Sequence, residues 1–382
     1  MQLKPKDTII SLDQEIIFGS RPKTVRILKR LNFGSYGSVY KGILTHQSGK
    51  KENVILKIEH ALVEHPQLQI EHIFYRRIYC CRDQLIRGVP LFHRFLDNRI
   101  LEYTPQTNDT RYPNLATLGK FNVLVLEELG LNLCHVRKKF AQGIPFACWI
   151  DLAAQIFAIM KYLFQQKRVI HRDIKPGNFV LGHPRETDST RGPDKVFLVD
   201  FGLSKTFEQW KENRGMVYMK RVEENTLHIG TKTYMSENVM AGDRPHMRDD
   251  LISCCYVLRE MVDGCLPWHE EIEAIDDYRE WNRALCEIKR RLRGVDIFGR
   301  DDNQEPFFTI DIPEEGCQIG QREQPNIEEM QDLFDYCKGL DWDEEPDFQR
   351  IEYFISTTKY KKENRIFMTE NPWETVLQVM ND

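Results

Sequence analysis

The sequence predicts an α+β protein in two parts, in which a small antiparallel sheet with one helix precedes a larger, mainly helical region. The 382 residues exceed what a single hydrophobic core usually organises. Around residues 26–41 and 53–59, apolar and β-branched residues alternate with polar ones, as in half-buried strands. After Gly130 the pattern changes to long apolar helical segments, chiefly Cys148–Gln166 and Leu251–Val262.

The first part contains two strand-linking turns, one helix and a further strand. Asn32–Ser38 and His46–Lys51 are rich in turn-forming residues. Leu68–Ile78 carries apolar residues at helical spacing, and Phe121–Leu126 predicts a short buried strand. We therefore expect one helix to pack on an antiparallel sheet.

Less regular segments interrupt and follow the helical part. Gly182–Asp194 is polar and turn-rich between two apolar runs, which predicts a β-hairpin with an unusually long loop. Residues 300–326 lack periodicity and predict an irregular surface excursion, with a last helical stretch from Asn326 onward. The final twenty or so residues are expected to be loosely held.

The composition excludes several classes of protein. With 41% hydrophobic and 29% charged residues the chain is of ordinary globular type, and a net charge of −5 argues against a nucleic-acid binder with a basic face. No apolar leader precedes the first strand, and no stretch approaches the roughly 20 apolar residues of a membrane span. Because the ten cysteines include no C-x-x-C pair, we expect reduced thiols and a cytoplasmic location.

A glycine-containing turn is the first candidate for chemistry. In Leu31-Asn32-Phe33-Gly34-Ser35-Tyr36-Gly37-Ser38-Val39, two glycines permit a tight turn whose amides could approach phosphate oxygens. An ordinary strand-joining hairpin explains this segment equally well on its own.

A lysine and a glutamate form the second candidate. Lys57 ends the apolar run Val54-Ile55-Leu56 on a predicted strand, and Glu71 lies on the predicted helix. A lysine beneath a sheet needs a counter-charge, so the two could pair while the ammonium holds phosphates. Taken alone, both are more simply solvated surface residues.

The third candidate is the octapeptide His171-Arg172-Asp173-Ile174-Lys175-Pro176-Gly177-Asn178. Asp173 could accept or orient a hydroxyl proton, Lys175 could neutralise a phosphoryl group, and Asn178 could bind a metal ion. A chance charged loop is improbable directly after an apolar helix.

The fourth candidate is Asp200-Phe201-Gly202, which follows the apolar strand Val196–Val199. A carboxylate at a strand end suits Mg²⁺, which prefers hard oxygen donors. Asp200 and Asn178 together are therefore the predicted metal ligands.

These motifs, in this order, resemble the signature set of protein kinases across about residues 26–359. The chain also resembles the casein kinase 1 group, and within it the tau-tubulin kinases. The segment Gly230–Asn238 ends in Ser-x-Asn where most kinases carry Ala-Pro-Glu, and Tyr336–Leu340 with Pro346–Gln349 is similar to that group's late helical motif. Residues 53–59 and 65–71 resemble the group's third strand and following helix.

The resemblance implies a bilobal protein kinase fold and a set of roles. The implied domain spans residues 26–359, with lobes of about 26–130 and 131–359, an N-terminal extension 1–25 and a tail 360–382. Thr231 would join Lys57, Glu71, Asp173, Lys175 and Asn178 as a catalytic residue and favour Ser/Thr hydroxyls, and Asp250 would hold the catalytic loop. The implied ATP pocket consists of residues 31–39 with Ile55, Lys57, Leu126, Glu127, Leu129 and Val180.

The sequence departs from the family pattern at several positions. Asn32 replaces the first glycine of the phosphate loop, and Ile55 stands where Ala is usual above the adenine. Thr233 replaces an Arg that reads phosphate or acidic groups in the casein kinase 1 group, so recognition of primed substrates is in doubt. The basic run Lys289–Arg293 could supply that charge, but a solvated helix face is the simpler interpretation.

The resulting prediction is a Ser/Thr protein kinase that uses ATP and Mg²⁺ on a protein substrate, acidic or cytoskeletal, as a cytoplasmic monomer without nucleic-acid or membrane partners. Leu227 occupies the usual activating phosphosite, beside Thr226, so activity without phosphorylation is expected. The alternative is a pseudokinase scaffold, favoured only by Asn32 and Ile55. A metabolic small-molecule kinase is disfavoured by the peptide-docking segment at Gly230-Thr231.

Overall fold

The computed structural model describes most of the chain, with gaps that include both termini and residues 299–327. The described residues are 8–19, 22–34, 37–63, 66–79, 88–105, 117–140, 143–186, 188–211, 215–218, 229–298, 328–363 and 373–381. They belong to two compact units. The first runs to Leu129 and includes Asp200–Ser204, and the second comprises Gly130–Val199 and the chain from Lys205.

The first unit is a seven-stranded antiparallel sheet with one helix, in the strand order β1-β6-β7-β5-β4-β3-β2. Its strands are β1 (Thr8–Ile10), β2 (Glu15–Phe18), β3 (Lys23–Gly34), β4 (Gly37–Thr45), β5 (Lys51–His60), β6 (Phe92–Pro105) and β7 (Thr117–Glu127). Helix α1 (Gln67–Ile78) buries Leu68, Glu71, Tyr75 and Ile78, which recur at the three- and four-residue spacing of one helix face. The predicted helix on an antiparallel sheet is confirmed.

The sheet curls because its two edge strands are neighbours in the sequence. β1 pairs with β6 at one edge and β2 pairs with β3 at the other, although only residues 11–14 separate them. In this link the Gln14 side chain donates to the Glu102 carbonyl at 2.8 Å, and the Asp13 N–H donates to the Ile27 carbonyl at 2.7 Å. Residues 8–18 therefore form part of the sheet, although the sequence predicted an extension before residue 26.

Curling gives this unit an apolar core on the concave side of the sheet. Ile10 and Phe18 from the N-terminal strands join residues of the central strands there, including Tyr40 and Leu56. Along β5 the side chains alternate, so Leu56 and Ile58 point into this core while Lys57 points to the opposite face. This alternation fixes the side on which Lys57 must find its partners.

The second unit is mainly helical. Its helices are α2 (Leu133–Lys139), α3 (Phe146–Lys161), α4 (Glu237–Met240), α5 (Met247–Asp263), α6 (His269–Glu273), α7 (Tyr278–Arg291), α8 (Gly294–Phe298), α9 (Glu328–Gly339), α10 (Phe348–Glu363) and α11 (Glu374–Asn381). Its strands are β8 (Val169–Ile170), β9 (Phe179–Leu181), β10 (Val196–Leu198), β11 (Lys205–Thr206), β12 (Glu208–Lys211) and β13 (Gly215–Tyr218). The predicted α+β fold class, with a sheet-bearing part before a helical part, is confirmed.

Several local expectations can be compared with the second unit. β9 and β10 pair antiparallel, which confirms the predicted hairpin around the loop from Gly182. The expectation of a loose C-terminus is wrong for the last helix, because Trp373 is buried and its indole N–H donates to Asp151 Oδ2 at 2.7 Å. The predicted excursion at 300–326, together with Ser35, Tyr36, Thr226 and Leu227, lies outside the described residues.

One helical stretch corrects the expectation about membrane-spanning length. Phe146–Lys167, formed by α3 and a π-helical turn, is 22 residues long, and an 18-residue window within it has a mean hydropathy of 1.4, so by length and composition it could cross a bilayer. Since 61% of that window is buried inside the protein, the stretch has the character of a core helix and is weak evidence for a span.

Candidate active site

Lys57 is held by two carboxylates within the first unit. Its Nζ lies 2.8 Å and 3.0 Å from the carboxylate oxygens of Glu71 and 3.2 Å from Asp200 Oδ1. Burial by itself disfavours the ammonium, but the Asp200 and Glu71 carboxylates outweigh burial and raise the pKa of Lys57 above its ordinary value. The strand therefore presents a permanently charged ammonium, and the predicted pairing of Lys57 with Glu71 is present.

Strands β3 and β4 stay paired almost to the end of the glycine turn that joins them. Asn32 pairs with Val39, and Gly34 pairs with Gly37, so the backbone at Asn32 is that of an ordinary strand. This position does not use the conformational freedom of a glycine. Gly37 does, because its φ is +151° and a Cβ there would lie 2.5 Å from the Ile58 carbonyl oxygen.

The residues predicted around the adenine fall into both units. Ile55 and Leu126 are direct cross-strand partners on β5 and β7, and Leu126 is buried. Glu127 is anchored on both sides, because its N–H donates to the Leu91 carbonyl at 2.9 Å and its carboxylate accepts the Leu91 N–H at 2.8 Å. Leu129 ends the first unit, whereas Val180 lies in β9 of the second unit.

Asp173 is the centre of the polar cluster in the second unit. Its Oδ2 accepts from Lys175 Nζ at 2.7 Å, while its Oδ1 accepts the Thr231 N–H at 2.9 Å and the Thr231 hydroxyl at 2.8 Å. Lys175 Nζ also donates to Thr231 Oγ1 at 3.1 Å. The structure thus brings together three residues that the sequence separates by as much as 58 positions.

Asn178 is oriented by the same aspartate. Its Nδ2 donates to the Asp173 carbonyl at 2.8 Å and to Asp173 Oδ2 at 3.2 Å. Because the amide nitrogen is engaged, the amide oxygen is the atom suited to a hard cation such as Mg²⁺. The other predicted ligand, Asp200, belongs to the first unit, so the pairing of these two residues at one metal ion stays a prediction.

A buried carboxylate on α5 fixes the loop that carries Asp173. Asp250 accepts the His171 N–H at 2.6 Å and the Arg172 N–H at 3.0 Å, as predicted from the sequence. Burial raises the pKa of Asp250 to about 7, although the two N–H groups favour the carboxylate. These bonds hold Arg172 in a left-handed conformation with φ 69°, a strained geometry for a residue other than glycine.

Asp200 has a similar backbone strain in the first unit, with φ 70°. The next residue, Phe201, is buried and packs edge-on against Tyr75 of α1 at 5.3 Å between ring centroids. The aromatic anchor and the Lys57 contact hold the strained aspartate in place. Such strain is typical of sites that carry function.

The comparison with known families agrees with this geometry. A family model described as a protein kinase domain matches residues 108–341.

The chain belongs to the protein kinase family. The matched segment contains Asp173, Lys175, Asn178, Asp200 and Thr231. Lys57, Glu71 and the glycine turn precede it, so for this kinase their assignment depends on the contacts described above.

Lys289 is the residue that sequence reasoning interpreted wrongly in this kinase. The basic run Lys289–Arg293 was expected to be a solvated helix face, but Lys289 is completely buried whereas Arg290 is exposed. The available signal was the helical spacing, because Lys289 follows Leu285 by four residues and so shares the apolar face of α7.

A second unpredicted connection joins the segment after Thr231 to the helical core. The hydroxyl of Tyr234 donates to Glu260 on α5, and Glu260 is paired with Arg137 on α2 at 3.1 Å. Burial and the neighbouring carboxylate raise the pKa of Tyr234 far above its ordinary value, so the phenol stays protonated as a donor.

Proposed function

We propose that this kinase transfers the γ-phosphate of Mg·ATP to Ser and Thr hydroxyls of proteins, in the manner of the casein kinase 1 group and its tau-tubulin kinase-like members. The observation that carries the proposal is the cluster in which Lys175 and the Thr231 hydroxyl both contact Asp173. A base, a cation and a hydroxyl-bearing docking residue within hydrogen-bond distance are the groups that transfer to an aliphatic hydroxyl requires.

Each side chain of the cluster has a separable task. Asp173 Oδ2 orients the acceptor hydroxyl and takes up its proton, and the Lys175 ammonium offsets negative charge at the transferring group. Thr231 keeps the aspartate in one rotamer through its N–H and its hydroxyl. Mg·ATP supplies the phosphoryl group and the cation, for which the Lys57 ammonium and the Asn178 amide oxygen are suitable partners.

Selectivity for Ser and Thr follows from the position of Thr231 beside the base. A short acceptor side chain brings the substrate backbone close to residues 231–235, where it can contact the docking segment. A tyrosine hydroxyl lies about 4 Å farther from its own backbone than a serine hydroxyl does, and a peptide on this segment would overshoot Asp173. Peptides that differ only in Ser, Thr or Tyr at the acceptor position test this selectivity.

The contacts of Thr231 also support activity without an activating phosphate. The docking residue is already bonded to Asp173, and the loop beneath it is bonded to Asp250. Recombinant enzyme treated with a phosphatase should therefore retain most of its activity. Enzyme that is inert until an upstream kinase acts on it would contradict this part of the proposal.

The wider biological setting is also part of the proposal. Resemblance to tau-tubulin kinases favours acidic or cytoskeletal protein substrates, a monomeric enzyme and a cytoplasmic location. Phosphopeptide-library profiling would test the substrate class directly. A preference for primed sites would be unexpected, because Thr233 replaces the arginine that reads phosphate in the casein kinase 1 group.

Casein phosphorylation tests the central claim against the pseudokinase alternative. Wild-type protein should transfer labelled phosphate to casein, and Asp200→Asn and Asp173→Asn should not. The matched control is Asp188→Asn, the same change at a residue whose backbone and side-chain contacts lie in the loop after β9. A wild-type protein that is stabilised by Mg·ATP but transfers no phosphate would establish the pseudokinase.

A further inference from the structure

Lys289 on α7 ends in a pocket made of backbone oxygens and aromatic rings. Its Nζ donates to the carbonyls of Lys232 at 3.0 Å, Thr233 at 2.8 Å and Met235 at 2.7 Å. The ammonium also lies over the rings of Trp268 at 4.6 Å and Tyr256 at 5.0 Å. A buried lysine is rare unless it is fully bonded, and here all its donors have acceptors.

The acceptor set matches the charged form of the side chain. An ammonium carries three N–H donors and a neutral amine carries two, so three carbonyl acceptors are satisfied only by the protonated lysine. Burial lowers the pKa of Lys289 well below its ordinary range, while the nearby Glu237 carboxylate acts in the opposite direction. The ring faces add cation–π attraction for the ammonium.

The three carbonyls belong to the segment that directly follows Thr231. This segment turns tightly, because the Tyr234 and Met235 N–H groups donate to the Thr231 carbonyl at 3.0 Å and 3.1 Å. Lys289 therefore ties the far side of the turn to α7 while Thr231 binds Asp173 at the near side. Lys289 itself contacts only backbone carbonyls of the turn. The Lys232 side chain makes a second, more exposed link to α7, because its ammonium donates to Asn282 Oδ1 at 2.8 Å.

We propose that Lys289 is a positioning residue for substrate phosphorylation: its ammonium clamps the backbone of residues 232–235 so that Thr231 stays docked on Asp173 and the acceptor peptide meets a preformed surface. This inference rests on the proposed kinase function. It also gives a physical reason for activity without a phosphate in the preceding segment, since an internal cation supplies the anchor.

Lys338 provides a matched control on α9. Its Nζ also donates to three backbone carbonyls, those of Lys289 at 2.7 Å, Arg290 at 2.9 Å and Leu292 at 2.6 Å. These acceptors belong to the end of α7 and the following turn, outside the docking segment. Loss of Lys338 removes a half-buried three-carbonyl clamp of the same chemistry, together with its 3.4 Å pairing with Glu237, but removes no hydrogen bond to the carbonyls of residues 232–235.

Steady-state kinetics separate positioning from general support of the fold. Lys289→Met and Lys289→Gln should lower kcat/KM for a Ser peptide by about tenfold to 100-fold. The KM for ATP should stay within about twofold of wild type, because ATP binding does not need the docking segment. Lys338→Met should lower Tm but change the peptide kcat/KM by less than about threefold.

A loss of ATP binding in the Lys289 variants that matches the loss of peptide transfer would overturn the inference, because it would indicate collapse of the unit. Unchanged peptide kinetics in both Lys289→Met and Lys289→Gln would overturn the inference as well. Lys289→Gln keeps a polar donor in the pocket, so it provides a folded variant if the methionine variant does not accumulate.

Hydrogen exchange tests the clamp independently of catalysis. In Lys289→Met, or in Lys289→Gln in its place, the amides of Thr231, Tyr234 and Met235 should exchange about tenfold faster, while the buried helix Leu251–Val262 keeps its wild-type protection. Unchanged exchange at these three amides would refute the clamp. Two results together would uphold the clamp and refute the proposed function: faster exchange in the Lys289 variants, and no kinase activity in the wild-type protein.

Discussion

Removal of the Thr231 hydroxyl is the sharpest test of the proposed catalytic cluster. Thr231→Val keeps the shape of the side chain but deletes the oxygen that lies 2.8 Å from Asp173 Oδ1 and 3.1 Å from Lys175 Nζ. Both partners are charged, and a hydrogen bond to a charged group contributes about 1.5–3 kcal/mol. The Thr231 N–H retains its 2.9 Å bond to Asp173, so the loop stays attached to the base.

The expected cost follows from these contacts. A loss of about 1.5–3 kcal/mol in the transition state corresponds to a fall in kcat/KM of about tenfold to 150-fold. The measurement is steady-state phosphorylation of a Ser peptide at saturating Mg·ATP, with Tm recorded for each protein. Because the proposed role places the cluster at the reacting group, kcat should account for most of the decrease.

Two controls make the result decisive. Thr231→Ser restores the hydroxyl and should recover at least about a third of wild-type activity, since a serine loses only the methyl group. Thr233→Val applies the same change two positions later, where the residue contributes its backbone carbonyl to the turn, and should leave kcat near wild type. A role of the hydroxyl in transfer would be refuted if Thr231→Val keeps half of the wild-type kcat/KM. It would also be refuted if Thr231→Ser loses as much activity as Thr231→Val.

Three further outcomes follow from the structure. Lys57→Met should abolish thermal stabilisation by Mg·ATP. Lys50→Met, which removes the 2.7 Å pair of an exposed lysine with Glu52, should preserve it. Equal stabilisation in both variants would contradict the phosphate-binding role. Gly37→Ala should destabilise the first unit by about 1–3 kcal/mol in urea unfolding, because the new Cβ would clash with the Ile58 carbonyl oxygen. Gly49→Ala, also at positive φ but with open space around it, should cost less, and an equal cost would contradict the clash. The raised pKa of Asp250, about 7, means that folding favours its protonated form, so this stabilising contribution is complete below the ordinary pKa and is lost as pH rises through about 7. The Tm of wild type should therefore fall more between pH 5 and pH 8 than the Tm of Asp250→Asn, and parallel curves would rule out Asp250 as the source.

Local patterns in the sequence were sufficient for the central strands, for three of the helices and for the motif residues. Helical spacing located α1 to within one residue of its N-terminal end and identified α5 as a buried helix. The octapeptide His171–Asn178 identified Asp173 and Lys175 of the cluster, and the tripeptide Asp200-Phe201-Gly202 identified Asp200 in the first unit, because their chemistry is specific at a fixed local spacing. The contact between Thr231 and Asp173 was implied by family resemblance, and no local pattern contains it.

Long-range packing decided the remaining features. β1 and β2 are short strands that become part of a core only because the sheet curls until its edges meet, and no short-range pattern encodes that closure. Trp373 is fixed by Asp151, which lies 222 residues away in the sequence. The sequence near Trp373 alone therefore does not distinguish a loose tail from an anchored helix, because the anchor depends on Asp151 in a distant segment.

Residues close together in the chain indicated the main strands and helices of this kinase and the identity of its chemical groups. Which charges are buried depends on long-range packing. Lys289 and Arg290 are adjacent basic residues. Arg290 is solvated, whereas Lys289 is enclosed by three carbonyls and two aromatic rings. The difference arises because burial of a charge depends on acceptors from distant segments, which repay the cost of desolvation only after the chain has folded.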